Sequence, residues 1–405
     1  MKKGVSVLGI AALVAIIGFG VSSCDLFGDN DSAYYAWYGS GTATHFTISS
    51  AAQLRGLSNI VRGIRGEDTP PQDDFRGKTI ILTADLNLTN QEWRSIGWSY
   101  LPLHPFNGTF DGDNRTITGF NTTSNQGFFG LIGEHGTVKN INFVDFSVSG
   151  SDGEGGLART NHGMIQNISI INGAVNGSAF TGGVVSFNSG TIQNTSFSGT
   201  ISGVGSGGIA SSNSGTIQSS VVTGTISSSS SEAGGISGNN SGMVRNSYST
   251  ADITGTGSIG HDIGGIVGIN SGTVQHSFST GNVTGAWRVG GVVGTGGLLS
   301  GTVLNSVALN PSVTGTSATS TARVANMSHV NNNYARVGMT LPDNVAVVSD
   351  INGAHGADIT SAEWNNANWW QNTAGFPSDA WEFRAGLPIL RNMPAAVVQN
   401  PVVRN

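Results

Sequence analysis

Glycine recurs at positions 136, 163, 190, 215, 242, 272 and 301 of this 405-residue chain, four times directly behind Asn-Ser. The intervals run from 25 to 30 residues, a period that marks stacked supersecondary units. Aligning the units on this glycine brings out columns. Two positions later stand Val138, Ile165, Ile192, Ile217, Val244, Val274 and Val303, all β-branched. The next position is mostly long and polar: Lys139, Gln166, Gln193, Gln218, Arg245, Gln275 and Leu304. The one after reads Asn140, Asn167, Asn194, Ser219, Asn246, His276 and Asn305. Six residues before the anchor, the middle units carry Leu157, Val184, Ile209, Ile236 and Ile266.

Aliphatic beside polar, punctuated by glycine every few residues, is a pattern of short strands and turns. Each unit reads as about three strands that cannot bury their apolar face alone, so neighbours must stack. Aliphatics then form a continuous core, and asparagines form a hydrogen-bonded ladder. A propeller blade needs about 40 residues, and a leucine-rich repeat needs a leucine skeleton that is missing. Calcium-binding β-rolls need an aspartate in each nine-residue repeat, and these columns hold none. The expectation is an all-β parallel β-helix of about seven coils, a rod of about 34 Å at about 4.8 Å per coil. With 10% charged residues and a net charge of −6, neither disorder nor a basic nucleic-acid face is expected.

The N-terminus carries Lys2 and Lys3, an apolar run from Val5 to Val21, and then Ser22-Ser23-Cys24. That order describes a secretory signal, and Val21-Ser22-Ser23-Cys24 resembles the bacterial lipobox. The resemblance implies cleavage before Cys24, the chain's single cysteine, lipidation of its thiol and membrane attachment in the cell envelope. The expected segments are a signal peptide (1–23), a tether (24–44), an N-terminal cap with first coils (45–126), the repeat solenoid (127–319) and a C-terminal cap (320–405). The aromatic cluster Tyr34 to Tyr38 either docks on the body or lies near lipid headgroups. Ser50 with Gln53 three residues on is a capping box, predicting a helix over 51–61 with Leu54, Leu57, Ile60 and Val61 as its apolar face. Such a helix would close the open end of the solenoid.

Gly130-Leu131-Ile132-Gly133, Gly265-Ile266-Val267-Gly268 and Gly291-Val292-Val293-Gly294 resemble the GLUG motif of bacterial surface proteins. Ser277-Phe278-Ser279-Thr280-Gly281 and Asn246-Ser247-Tyr248-Ser249-Thr250 resemble its Asn-Ser-Tyr-Ser-Thr-Gly tail. The segment Phe106 to Gly112 resembles its usual lead-in. The resemblance spans about 45 to 395. It implies a repeat region like those of adhesin-like proteins, or those beside the peptidase domain of immunoglobulin A-specific metallopeptidases. The eight histidines form no His-Glu-x-x-His zinc motif, so no metal, cofactor or peptidase activity is carried over.

Two function classes remain. One is a structural or adhesive binding surface whose partner is a glycan or a host or matrix protein. The other is a carbohydrate-active β-helix enzyme, which needs converging carboxylates. The acids Glu134, Asp145, Asp152, Glu154, Glu232, Asp252 and Asp262 fall in different columns, so no catalytic residues are assigned. Asp111 and Asp113 read as turn formers. The candidate ligand contacts are aromatic: Trp364, Trp369 and Trp370 near the C-terminus, as a sugar platform or an end plug, and Trp287 with Arg288 in a loop between repeats.

Overall fold

The computed structural model describes residues 31–66, 68–123, 126–230, 232–257, 262–297 and 301–404. The signal segment and Cys24 lie outside the described residues. The β-branched column forms the spine of a parallel β-solenoid. Phe46, Ile80, Phe110, Val138, Ile165, Ile192, Ile217, Val244, Val274, Val303 and Val330 pair in register, each strand parallel to the next. The rungs therefore run past 127–319 at both ends. Eleven rungs make a stack of about 48 Å, longer than the seven coils expected. The three N-terminal rungs escaped the repeat pattern because insertions separate them and phenylalanine stands in two of their core positions. Around the circuit run a 24-stranded, an eight-stranded and a six-stranded sheet.

The asparagine column has a backbone cause. Asn140, Asn167, Asn194, Asn246, Asn305 and Asn332 all adopt φ between 48° and 57°. This left-handed region admits asparagine at least strain among residues with a side chain. The kink bends the chain at the same point of each coil, within one long strand at Asn140 and Asn167 and between two strands in the later coils. Side-chain amides then link successive coils, Asn167 to Asn140 at 2.9 Å, Asn194 to Asn167 at 3.2 Å and Asn332 to Asn305 at 2.6 Å. His276 holds the same kink at φ 49°, with Asn305 Nδ2 donating to its Nε2 at 3.0 Å.

A second ladder lies inside. Asn161, Asn188, Asn213, Asn240 and Asn270 are at most 2% exposed, and each Nδ2 before Asn270 donates to the next Oδ1 at 2.7 or 2.8 Å. Four of these are the asparagines of the Asn-Ser-Gly triplets, and Asn161 opens the matching Asn-His-Gly. The anchor glycine is required by close approach: a Cβ on Gly215 would lie 2.1 Å from the Gly190 carbonyl oxygen. Coils this close leave no room for a methyl group.

At the N-terminal end, α1 (Asp31–Tyr35) packs beside α2 (Ala51–Arg62). Ser50 caps α2 by accepting from Gln53 N, while Gln53 Oε1 accepts from Ser49 N at 2.7 Å, one residue before the expected position. Leu54, Leu57, Ile60 and Val61 are buried in the core. The aromatic cluster docks on the body. Trp37 stacks on Phe75, and Tyr38 donates to Asp73 at 2.7 Å.

The C-terminal region departs from the expected end cap. Its helices α3 (Ser361–Trp364) and α4 (Ala367–Asn372), and a two-stranded hairpin at Trp381–Glu382 and Ile389–Leu390, lie along the side of the rod as a strap. Trp370, Phe376, Trp381 and Leu387 pack there on Tyr248, Phe278, Val307 and Tyr334. One column changes character along this side. It reads Asn142, Ser169 and Ser196 in the earlier coils, the two serines lying beside the tail residues Ala396–Val398, then Val221, Tyr248, Phe278, Val307 and Tyr334 in the cluster shared with the helices and the hairpin. The apolar stretch needs this cover, since left bare it would be a sticky patch.

Candidate binding surface

The sequence-nominated residues are dispersed. Trp370 is fully buried and Trp369 is 9% exposed, their faces taken by Phe278, Tyr334 and Phe376. Trp364 is half-buried, and its carbonyl accepts from Trp370 Nε1 at 2.9 Å. These three rings hold the strap to the rod, which leaves no sugar platform and no end plug. Trp287 is 53% exposed, as expected of a loop residue. The guanidinium of Arg288 is committed to buried Asp262, by two hydrogen bonds of 2.6 and 2.8 Å.

The acids are tied to separate partners. Asp145 accepts from Asn172 at 2.6 Å, and Asp252 binds Arg404 at 2.5 and 3.1 Å. Asp152 accepts from the Tyr100 hydroxyl at 2.8 Å. Glu154 is fully buried in the turn before the Leu157 rung, with Oε1 accepting from the Asp152 N–H and Oε2 lacking a hydrogen-bond partner. Burial pushes its carboxyl up. Asp111 caps its own turn by accepting from Asp113 N at 3.0 Å, as expected. Asp145 and Asp252 sit on the large sheet in different coils, while Asp152 belongs to a loop elsewhere. Among the described residues no group of three or more His, Cys, Asp or Glu could hold a metal ion. Among them, too, no helix is long and apolar enough to cross a membrane.

A different feature emerges on the flank. Residues 98–104 leave the rod as a small excursion, closed by reciprocal backbone bonds between Trp98 and His104 at 2.8 and 3.0 Å. At its tip Leu101 and Leu103 are 87% and 52% exposed. Its base begins a continuous belt of rings and arginines. Arg62, from α2, lies 4.5 Å over the Trp98 ring, and Trp98 meets Tyr100 edge-on at 5.3 Å. Arg159 lies 4.7 Å over Tyr100 and 5.4 Å over Phe187, and Phe187 meets Phe180 at 5.6 Å. Phe180 is 45% exposed and the other five are partly exposed. The belt climbs from the capping helix across successive coils.

Arg62 is also close enough to Arg94 to feel its charge. Burial first, and then Arg94, hold its guanidinium below the ordinary arginine value. Neither arginine has a carboxylate partner among the described residues. At the middle of the belt, burial and the bond to Asp152 raise the Tyr100 phenol, keeping it a neutral donor. The belt escaped the sequence reading because its members come from α2, an excursion and two sheets. One signal was available: Phe187 stands in an outward column whose neighbours are Thr160, Ser212 and Asn239.

Fold and flank together define a strapped parallel β-solenoid with a lateral aromatic–arginine surface. No family model matches the chain, so the GLUG resemblance rests on the quoted residues. The chain is 30% identical over 138 residues to halomucin of Haloquadratum walsbyi, a match that takes in 33% of this chain. It spans about 1% of the length of that relative. Among solved structures, a Bacteroides ovatus protein provisionally described as an immunoglobulin A1 protease superposes with a TM-score of 0.48 and 21% identity. The superposition covers 85% of this chain and 92% of that one. A likeness at that level says nothing of activity.

Proposed function

We propose that this chain is a lipid-anchored protein of the bacterial envelope that acts as a structural or adhesive binding surface. The observation that carries the binding role is the belt from Arg62 to Phe180, an exposed aromatic and cationic strip on a body otherwise poor in charge. Exposed rings beside arginine are the composition of recognition surfaces. Asp145, Asp252 and Asp262 each have a separate partner, and the one carboxyl close to Asp152, that of Glu154, is fully buried, which supports binding over glycoside hydrolysis, where two accessible carboxyl groups stand about 5–10 Å apart across one bond.

The anchor reading rests on Val21-Ser22-Ser23-Cys24. Because α1 already docks on α2, only residues 25–30 separate Cys24 from the body. A lipid on Cys24 would therefore hold the capped end of the rod close to the membrane. Two measurements test the proposal. Cys24→Ser should move the protein from the membrane fraction to the soluble fraction, and retention in the membrane sinks the lipid anchor. Purified protein should bind a member of a panel of glycans and matrix proteins, and Trp98→Ala should weaken that binding. A binder insensitive to Trp98→Ala and Phe180→Ala removes the belt from the function.

A further inference from the structure

We infer that the belt binds an anionic polysaccharide, with a carboxylate or sulfate group seated at Arg62 and Arg94 and sugar faces laid along the rings from Trp98 to Phe180. The inference rests on the binding-surface reading and names its ligand class. Three observations carry it. The first is the unbalanced charge: the Arg94 carbonyl accepts from Ser58 at 2.8 Å, one turn before Arg62 on α2, which sets the two arginines near one another, and neither has a carboxylate partner among the described residues. Two cations held together while one is half-buried is an arrangement relieved by an anion. The second is the way arginine is presented. A guanidinium stacked on a ring spends its flat face on the π-system, and its in-plane N–H groups stay free for a bidentate anion. Arg159 is partly spoken for, since its Nε donates to the Asp152 carbonyl at 3.2 Å, so the freer fork is that of Arg62.

The third observation is shape. The rings follow the rod axis from α2 to the Phe187 coil, a narrow strip that suits a linear chain of sugars. A membrane would ask for a flat end with its arginines in one plane. A protein partner would ask for a wider apolar core than one file of rings supplies. The apolar faces of pyranose rings match aromatic faces, and their charged substituents match the arginines.

The test titrates purified protein, by calorimetry, with polygalacturonate, dextran sulfate, neutral dextran and phosphatidylglycerol vesicles. At least one of the two anionic polymers should bind, and which one does separates carboxylate from sulfate recognition. Arg62→Gln with Arg94→Gln should weaken that binding about tenfold, the scale of one charge-assisted hydrogen bond. Raised salt should weaken it too. Trp98→Ala should weaken it and Trp287→Ala should leave it unchanged. Arg94→Gln alone, at an exposed position, should keep the thermal midpoint, so that a weaker signal reads as lost contact and not as unfolding.

Equal binding of neutral dextran, binding of vesicles without either anionic polymer, or indifference to the arginine variants each overturns the inference. A matrix protein that binds through Trp98 while no polysaccharide does so overturns the inference and leaves the binding-surface reading standing. Silence across the four titrants overturns the inference, and silence across the glycans and matrix proteins as well removes the binding-surface reading.

Discussion

His276 interrupts a ladder, and replacing it should stabilise the protein. Where asparagines follow one another in the left-handed column, the Nδ2 donates to the Oδ1 of the coil before, as Asn167 does to Asn140 and Asn194 to Asn167. At His276 the pattern breaks. Its Nε2 accepts from Asn305 Nδ2 at 3.0 Å, and Asn246 Oδ1, one coil earlier, is buried without a hydrogen-bond partner. In His276→Asn the new Nδ2 would reach Asn246 Oδ1 and the new Oδ1 would keep the bond from Asn305. Satisfying a buried acceptor is worth about 1–2 kcal/mol. Losing the edge-on contact between His276 and Phe376, at 6.0 Å, returns about 0.5 kcal/mol of that. The net expectation is a gain of about 1 kcal/mol in urea unfolding.

The pH dependence sharpens the test. Burial first, and then Arg245, hold the His276 imidazole below its ordinary value, with Asp379 pulling weakly the other way. The folded chain therefore binds this proton less readily than the unfolded chain does. Protonation favours unfolding, so His276 subtracts stability as pH falls below about 6.5. His276→Asn removes that loss, and the gap between the two proteins should widen from pH 8 to pH 5. A variant less stable than the parent at pH 8, or a gap that narrows on acidification, refutes the account of the ladder.

The other expectations concern the core, the coil spacing and the strap. Asn213→Ala should cost about 2–4 kcal/mol in denaturant unfolding, because it removes both inter-asparagine bonds at the centre of the buried ladder. Asn161→Ala, at the end of that ladder, breaks one such bond and should cost about half as much. Gly215→Ala should cost about 3 kcal/mol or abolish folding, since its Cβ would meet the backbone of Ser189 and Gly190; a silent substitution would show that the coils have room. Trp370→Ala should cost about 3–5 kcal/mol and flatten the near-ultraviolet dichroism of the strap. Burial raises the Asp252 carboxyl, but the hydrogen bonds from Arg404 and the Asn282 N–H and the charge of Arg404 outweigh it, so the group ends below its ordinary value. Its contribution to holding the strap is present at neutral pH and lost as pH falls below about 4, and protease trimming of the last residues should accelerate there.

The repeat made the solenoid legible. A column of β-branched residues at a fixed interval can be buried in only a few ways, and the glycine density removed the helical ones. The core identity of Ile266 and Val274 and the capping helix from Ser50 were equally local, so they could be read in one dimension. The sequence located an asparagine column but not its cause, because φ near 50° is a property of the coil as a whole. It also missed the buried ladder of Asn213, since Asn-Ser-Gly is the usual text of an exposed turn. Tertiary structure alone decided that Trp369 and Trp370 lie against Phe278 and Tyr334, because a strap can cover the end or the side of a rod with the same side chains. It decided the belt for the same reason. Arg62 and Phe180 are 118 positions apart in the sequence, and only the stacking of coils brings their neighbours into one file. Periodicity specifies what repeats along the axis, whereas a surface assembled across coils exists only once the coils are stacked.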